Sequence, residues 1–183
     1  MFTLKMVHIS ERDLQLPTLE FPKIFKRVVR DKSVISLGPG EPDFVTPKPL
    51  LDYARKVLGE STHYTEPQGL LELREAIVKK LKKENKINST PDEVLVTSGS
   101  QEALFASLLT SIDPTEEVIV PTPGYVGYTP AIELVSGVVR YLPLREDNGF
   151  VIDADELRKM ITKKTQVFIV NSPSNPTGSV LSK

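Results

Sequence analysis

Three short stretches carry residue types suited to holding a small anionic ligand. The first, "VTSGSQEALF" at 96–105, is the end of an apolar run followed by small polar residues and then a helical pattern. A helix beginning there would turn unpaired N–H groups and its positive dipole end toward the preceding segment, a corner able to hold a phosphate. The same residues also read as an ordinary helix start, with Ser100 as N-cap and Gly99 easing the turn. The stretch lacks the Gly-Lys-Ser/Thr of a P-loop and the spaced glycines of a dinucleotide fingerprint. The second, "PTPGYVGY" at 121–128, offers the Tyr125 ring to a flat ligand. Tyr125 and Tyr128 read equally well as packing residues under a loop. The third, "NSPSNPTG" at 171–178, contains Asn175, whose amide is both donor and acceptor. Asn before Pro is also a routine turn element.

The elements around these stretches decide whether they meet. From residue 93 onward the sequence alternates between strand and helix. Strands are predicted at Val94 to Thr97, 116–123, 138–144 and 165–173, with helices at 100–112, 128–137 and 153–162. Such alternation specifies a parallel sheet covered by helices, and ligands of open α/β sheets bind along its carboxyl edge, where all three stretches fall. Earlier in the chain, Ile24, Phe25, Val28 and Val29 share one face of a predicted helix from Leu19 to Lys32, followed by a short strand at Val34 to Leu37. After the Pro- and Gly-rich "GPGEPDFVTPKP", helices are predicted from about Lys48 to Gly59 and Leu70 to Asn85, each with one apolar face. The charged face of the second is expected to be solvated. The pattern change near residues 88–92 divides the chain into 1–90 and 91–183.

Composition narrows the function classes. The 183 residues are 39% hydrophobic and 26% charged with a net charge of −1, which is ordinary for a soluble protein and gives no reason to expect nucleic acid or an anionic membrane as partner. Cysteine is absent, removing disulfides and thiolate chemistry. His8 and His63 have no companion at metal-ligand spacing, so no metal is expected. No apolar run suits a leader peptide or a membrane span, and the expected location is the cytoplasm.

"SLGPGEPDFVTP", "HYTEPQGLLELREAI", "VTSGSQEALF", "PTPGYVGY" and "NSPSNPTG" occur in this order. In order and spacing they resemble the class I and II aminotransferases, fold-type I enzymes that use pyridoxal 5'-phosphate (PLP), nearest the aspartate and aromatic branch. The resemblance runs from about Ser33 to the last residue. It implies an aspartate aminotransferase-like α/β large domain, a mostly parallel sheet with flanking helices, incomplete here. On this reading 91–183 is the first part of the PLP-binding domain, and 1–90 is a helical segment with a substrate loop.

The resemblance also implies roles. Gly99, Ser100 and Gln101 match the segment that holds the cofactor phosphate, Tyr125 the aromatic residue stacked on the pyridine ring, and Asn175 the residue that hydrogen-bonds the ring hydroxyl. Gly40 matches a glycine approaching the substrate carboxylate, and Tyr64 a tyrosine reaching the phosphate held by the other subunit of a dimer. Glu41, Pro42 and Asp43 are family markers expected to fix loop shape. The family's Schiff-base lysine and the acid beside the pyridine nitrogen match nothing in this chain, so no catalytic residue is assigned. The chain is expected to be an N-terminal half, inactive alone.

The function expected of a complete protein is amino transfer between an amino acid and a 2-oxo acid. It is expected to act as a homodimer or with a partner chain supplying the C-terminal half. Alternatives are a non-catalytic remnant or interaction module, a carbon–sulfur lyase or a decarboxylase of the same fold type.

Overall fold

A computed structural model describes residues 9–16, 21–31, 33–35, 37–38 and 40–182. His8, Leu19, Lys32 and most of the N-terminal stretch read for a leader lie outside them. The contacts group the described residues into two compact units, one drawn from Glu20–Thr97 and the other from Met1–Leu19 with Ser98–Lys183.

In the first unit, α2 spans Phe21–Arg30 and α3 spans Lys48–Val57, begun by a proline in its first turn, where a missing N–H costs nothing. α4, Leu71–Lys80, continues into a π-helical turn at Leu81–Asn85, which Lys86 closes with a left-handed φ of 60°. The expected helices form, but their apolar faces are only partly covered by the described residues: Leu50, Leu58 and Leu73 are exposed while Val57, Ile77 and Leu81 are half-buried.

Among the described residues of this unit the buried side chain is instead Arg74 of α4, from the face expected to be solvated. Its Nε donates to the Gly69 carbonyl at 3.0 Å and Nη1 to the Pro91 carbonyl at 3.0 Å, while Nη2 meets the Glu66 carboxylate. One guanidinium thereby ties the loop before α4 to the loop after it. Gly69, at φ +102°, lets the chain pass so close to Val96 that a β-carbon would lie 2.6 Å from its Cγ2.

Among the described residues of this unit, neither Val34 to Leu37 nor Val94 to Thr97 joins a ladder. Ser36 lies outside the described residues, and Val34, Ile35 and Leu37 form no ladder. Val94 has extended φ and ψ of −116° and 124°, yet residues 94–97 are not part of the sheet. Propensity extends the segment, but a strand exists only where a neighbour pairs with its N–H and C=O groups. Here the Val96 N–H donates instead to the Gln68 carbonyl at 2.9 Å.

In the second unit, α1 (Glu11–Gln15) is capped by Ser10 and joined to the rest by Arg12, whose Nη1 donates to the Leu134 carbonyl at 3.2 Å. Then follow α5 (Ser100–Ser111), β1 (Glu117–Thr122), α6 (Tyr128–Leu134), β2 (Val138–Pro143), α7 (Ala154–Met160) and β3 (Thr165–Phe168). The strands form a parallel sheet in the order β2-β1-β3.

β1 is central, and its run Val118, Ile119 and Val120 is buried, as a strand covered on both faces requires. Leu108 and Ile112 from the α5 end, Ala131, Ile132 and Val135 from the α6 region, and Val118 and Val120 make one core. At the amino edge of the sheet the buried Glu117 carboxylate accepts hydrogen bonds from Thr162 Oγ1 (2.7 Å), Thr165 Oγ1 (3.1 Å) and Arg140 Nη1 (3.2 Å). It thus gathers the starts of all three strands, leaving the carboxyl edge open for a site.

A candidate cofactor site at the carboxyl edge of the sheet

α5 begins without a side-chain cap. Gly99 occupies the N-cap position at φ 81° and ψ 174°, a conformation natural to glycine. The first-turn amides of a helix have no carbonyl behind them, and the first backbone bond here is from Ala103 N to Gly99 O. The Glu102 carboxylate of that turn accepts from Ser98 N. Ser100 and Gln101 therefore stand at a positive helix end.

The chain leaving β1 carries Tyr125, and the chain leaving β3 carries Asn171 and Asn175. Ser100, Gln101, Tyr125, Tyr128, Asn171 and Asn175 line one open hollow of about 580 Å³, with Leu104 and Ile169 giving it an apolar side. No charged side chain is among its described lining residues. An anion there would depend on the helix amides and dipole, or on groups beyond this lining.

The Tyr125 hydroxyl donates to Gln101 Oε1 at 3.2 Å, and its ring, 38% exposed, meets the Tyr128 ring edge-on with centroids 5.4 Å apart. Asn171 Nδ2 donates to the Tyr128 hydroxyl at 3.2 Å. Asn175 lies in a loop braced by Ser174 N to Ser179 O (2.9 Å) and Gly178 N to Ser174 O (2.8 Å). The Asn175 side chain is exposed and has no hydrogen-bond partner among the described residues. Its amide is available to a ligand.

The structure thus brings Ser100, Gln101, Tyr125 and Asn175 together, with Gly99 as the cap beneath. Tyr64 and Gly40 belong to the other unit. Tyr64 is fully exposed beside Ser61, Thr62 and His63, and a β-carbon built on Gly40 would meet nothing within 4 Å. Sequence reasoning missed Gly127, where a β-carbon would lie 2.5 Å from Tyr125 Cε1 and 2.9 Å from Gln101 Nε2, and the pairing of Tyr128 with Asn171. The repeated glycine in "PGYVGY" was the available signal for the first. Nothing in sequence announces the second.

Among the described residues no group of three His, Cys, Asp or Glu is placed to hold a metal, and no helix is long and apolar enough to cross a membrane.

The family model for aminotransferase class I and II matches residues 32–183. The chain belongs to this family. Among similar proteins, an aspartate aminotransferase of Pyrococcus abyssi is 46% identical over 178 residues, covering 96% of this chain and 46% of the relative. An aromatic-amino-acid aminotransferase of Thermococcus litoralis is 40% identical over 177 residues, again covering 96% and 46%. A solved aspartate aminotransferase from Thermus thermophilus, with maleate, superposes with a TM-score of 0.91 at 37% identity, covering 97% of this chain and 48% of that one. The sheet and its flanking helices therefore form part of an aspartate aminotransferase-like fold. This aminotransferase-family chain spans just under half the length of the relatives it matches.

Proposed function

We propose that the protein is a PLP-dependent aminotransferase, moving an amino group between an amino acid and a 2-oxo acid, and that this chain contributes one wall of its cofactor site. The supporting observation is the convergence of Ser100, Gln101, Tyr125 and Asn175 on one hollow. The donor set fits the cofactor in three respects. The Ser100 and Gln101 amides in the first turn of α5 suit a phosphate, the partly exposed Tyr125 ring suits a flat heteroaromatic, and the unpaired Asn175 amide suits a ring hydroxyl.

In this reading the backbone of Gly99, Ser100 and Gln101 holds the phosphate, and the α5 dipole favours its charge. Tyr125 covers one ring face and excludes water from it. Asn175 donates to the ring hydroxyl oxygen and keeps its charge in place. When bound, PLP supplies an electron sink for charge developing at the substrate α-carbon. Gly40 is assigned to the approach of the substrate carboxylate. Tyr64 is assigned to the phosphate of a second subunit in a homodimer, and no catalytic side chain is assigned on this chain. Residues 91–183 then form the first part of the PLP-binding domain, and 1–90 a helical segment with the substrate loop.

Aspartate and aromatic amino acids are the donors to try first, since the similar proteins are named for them. The full-length protein, supplied with PLP, a ¹⁵N-labelled donor and 2-oxoglutarate, is expected to yield ¹⁵N-glutamate. Release of free ammonia, a thiol or carbon dioxide without label transfer would reassign the protein to lyase or decarboxylase chemistry. Failure to take up PLP would remove it from cofactor catalysis altogether.

A further inference from the structure

Tyr128 has no task in the scheme above, yet it touches both arms of the hollow. Its ring stands at 81° to the Tyr125 ring, and its hydroxyl accepts from Asn171 Nδ2 at 3.2 Å. Tyr125 rides on the chain leaving β1, and Asn171 and Asn175 on the chain leaving β3. The pairing of β1 with β3 covers Glu117 to Ile119, and the last backbone bond across it is Ile169 N to Ile119 O at 3.0 Å. Both loops continue past the end of that ladder.

Among the described residues the Tyr128–Asn171 bond is the one hydrogen bond joining residues 121–134 to residues 170–182. Both side chains also border a small pit of about 20 Å³ beside the hollow, packed by Pro121, Phe150 and Ile152. This part-buried contact is hemmed in on the side of the pit.

We propose that Tyr128 is a positioning residue for the cofactor: its ring edge sets the tilt of Tyr125, and its hydroxyl tethers the loop that presents Asn175. The inference rests on the reading of the hollow as a PLP site. A stacking face and an amide on separate loops bind a rigid ring well only if their separation is fixed beforehand, since ordering them during binding costs affinity. Tyr128 fixes it through one bond and one edge-on contact.

The test uses the full-length apoprotein and pyridoxamine 5'-phosphate, whose amine cannot join covalently to a lysine, titrated by calorimetry. Tyr128→Phe keeps the ring edge and removes the hydroxyl, while Asn171→Ala removes the donor. Each is expected to weaken binding about threefold to tenfold, as loss of one hydrogen bond does. The double variant should lose no more than either single one, because both remove the same bond. Tyr128→Leu, lacking the ring edge too, should bind more weakly than Tyr128→Phe and alter the circular dichroism of the bound ligand. Unfolding midpoints of Tyr128→Phe and Asn171→Ala should fall by the small and similar amount that one part-buried hydrogen bond contributes. Wild-type affinity in Tyr128→Phe, losses that multiply in the double variant, or a bound-ligand circular dichroism unchanged in Tyr128→Leu would each overturn the inference while leaving the site reading intact. A wild-type protein that does not bind the ligand overturns both.

Discussion

The Tyr125 hydroxyl and the Gln101 side chain, 24 residues apart in sequence, are joined by a 3.2 Å hydrogen bond across the mouth of the hollow. The bond links the helix end expected to hold the phosphate to the ring expected to cover the pyridine. Gly127 makes it possible. Its backbone is αR, at φ −80° and ψ −11°, which any residue adopts, so the need for glycine there is one of space.

Gly127→Ala follows as the first prediction. The new methyl would lie 2.5 Å from Tyr125 Cε1 and 2.9 Å from Gln101 Nε2, so one of the two side chains must leave its position. Both are near the surface and can move, which keeps the stability cost at or below about 1 kcal/mol, the low end for overpacking. Cofactor affinity should fall further, about fivefold to tenfold, as the stacking ring shifts. Adding Gln101→Ala removes one of the clashes and should recover part of the loss. Calorimetric titration of the three proteins checks this ordering.

Asn175→Ala should separate binding from folding. The side chain is exposed and unpartnered among the described residues, so the unfolding free energy should stay within about 0.5 kcal/mol of wild type. The bond expected to a charged ring oxygen is of the stronger kind, about 1.5–3 kcal/mol, so affinity for pyridoxamine 5'-phosphate should drop roughly tenfold to hundredfold. Titration beside a denaturant curve measures both. A stability loss equal to the affinity loss would show that Asn175 braces the loop instead.

The fold of 98–182 was readable because its signals are local: β1, β2, β3 and the helices α5, α6 and α7 follow the predicted order, although β3 ends at Phe168 rather than continuing to 173. Convergence of the three stretches was readable too, because a parallel sheet puts all its strand exits on one edge. The segment Val94 to Thr97 is extended as read but joins no ladder among the described residues, for a non-local reason. Its apolar, β-branched residues specify extension, but pairing depends on a neighbour that no local pattern reports. Arg74 was misread because a charge on a polar helix face looks solvated until three acceptors, at Glu66, Gly69 and Pro91, are brought around it by the chain. Tyr128 was readable as a packing residue, but its tie to Asn171 needs tertiary structure.

Arg74 gives a prediction about stability. Its three acceptors lie in two loops, and Arg74→Met would leave the Gly69 and Pro91 carbonyls without their donor. Loss of hydrogen bonds from a charged donor amounts to about 2–3 kcal/mol here. Arg74→Lys should recover little, since one ammonium cannot span acceptors arranged for a planar fork. Hydrogen exchange should localise the damage to 66–69 and 91–96, with the Val96 amide losing protection as Gln68 loosens. Denaturant curves giving Arg74→Met wild-type stability would refute the assignment.

Glu117 sets an acid limit. Its carboxyl is held below its ordinary value of 4.5, first by the Thr162 hydroxyl, against the opposing effect of burial, with Thr165 and Arg140 adding to the lowering. A carboxyl whose pKa is depressed by folding contributes stability that is fully present above 4.5 and disappears as the pH drops through the lower, folded-state value. Protonation then leaves Thr162 and Thr165 competing for a neutral acid and removes the partner of Arg140 at the starts of all three strands. Glu117→Gln should therefore be less stable than wild type at neutral pH, and the gap should close on acidification below 4.5. Thermal unfolding midpoints of both proteins, measured from neutral pH down through that window, will show converging curves if the carboxylate is the clamp, and parallel ones if it is not.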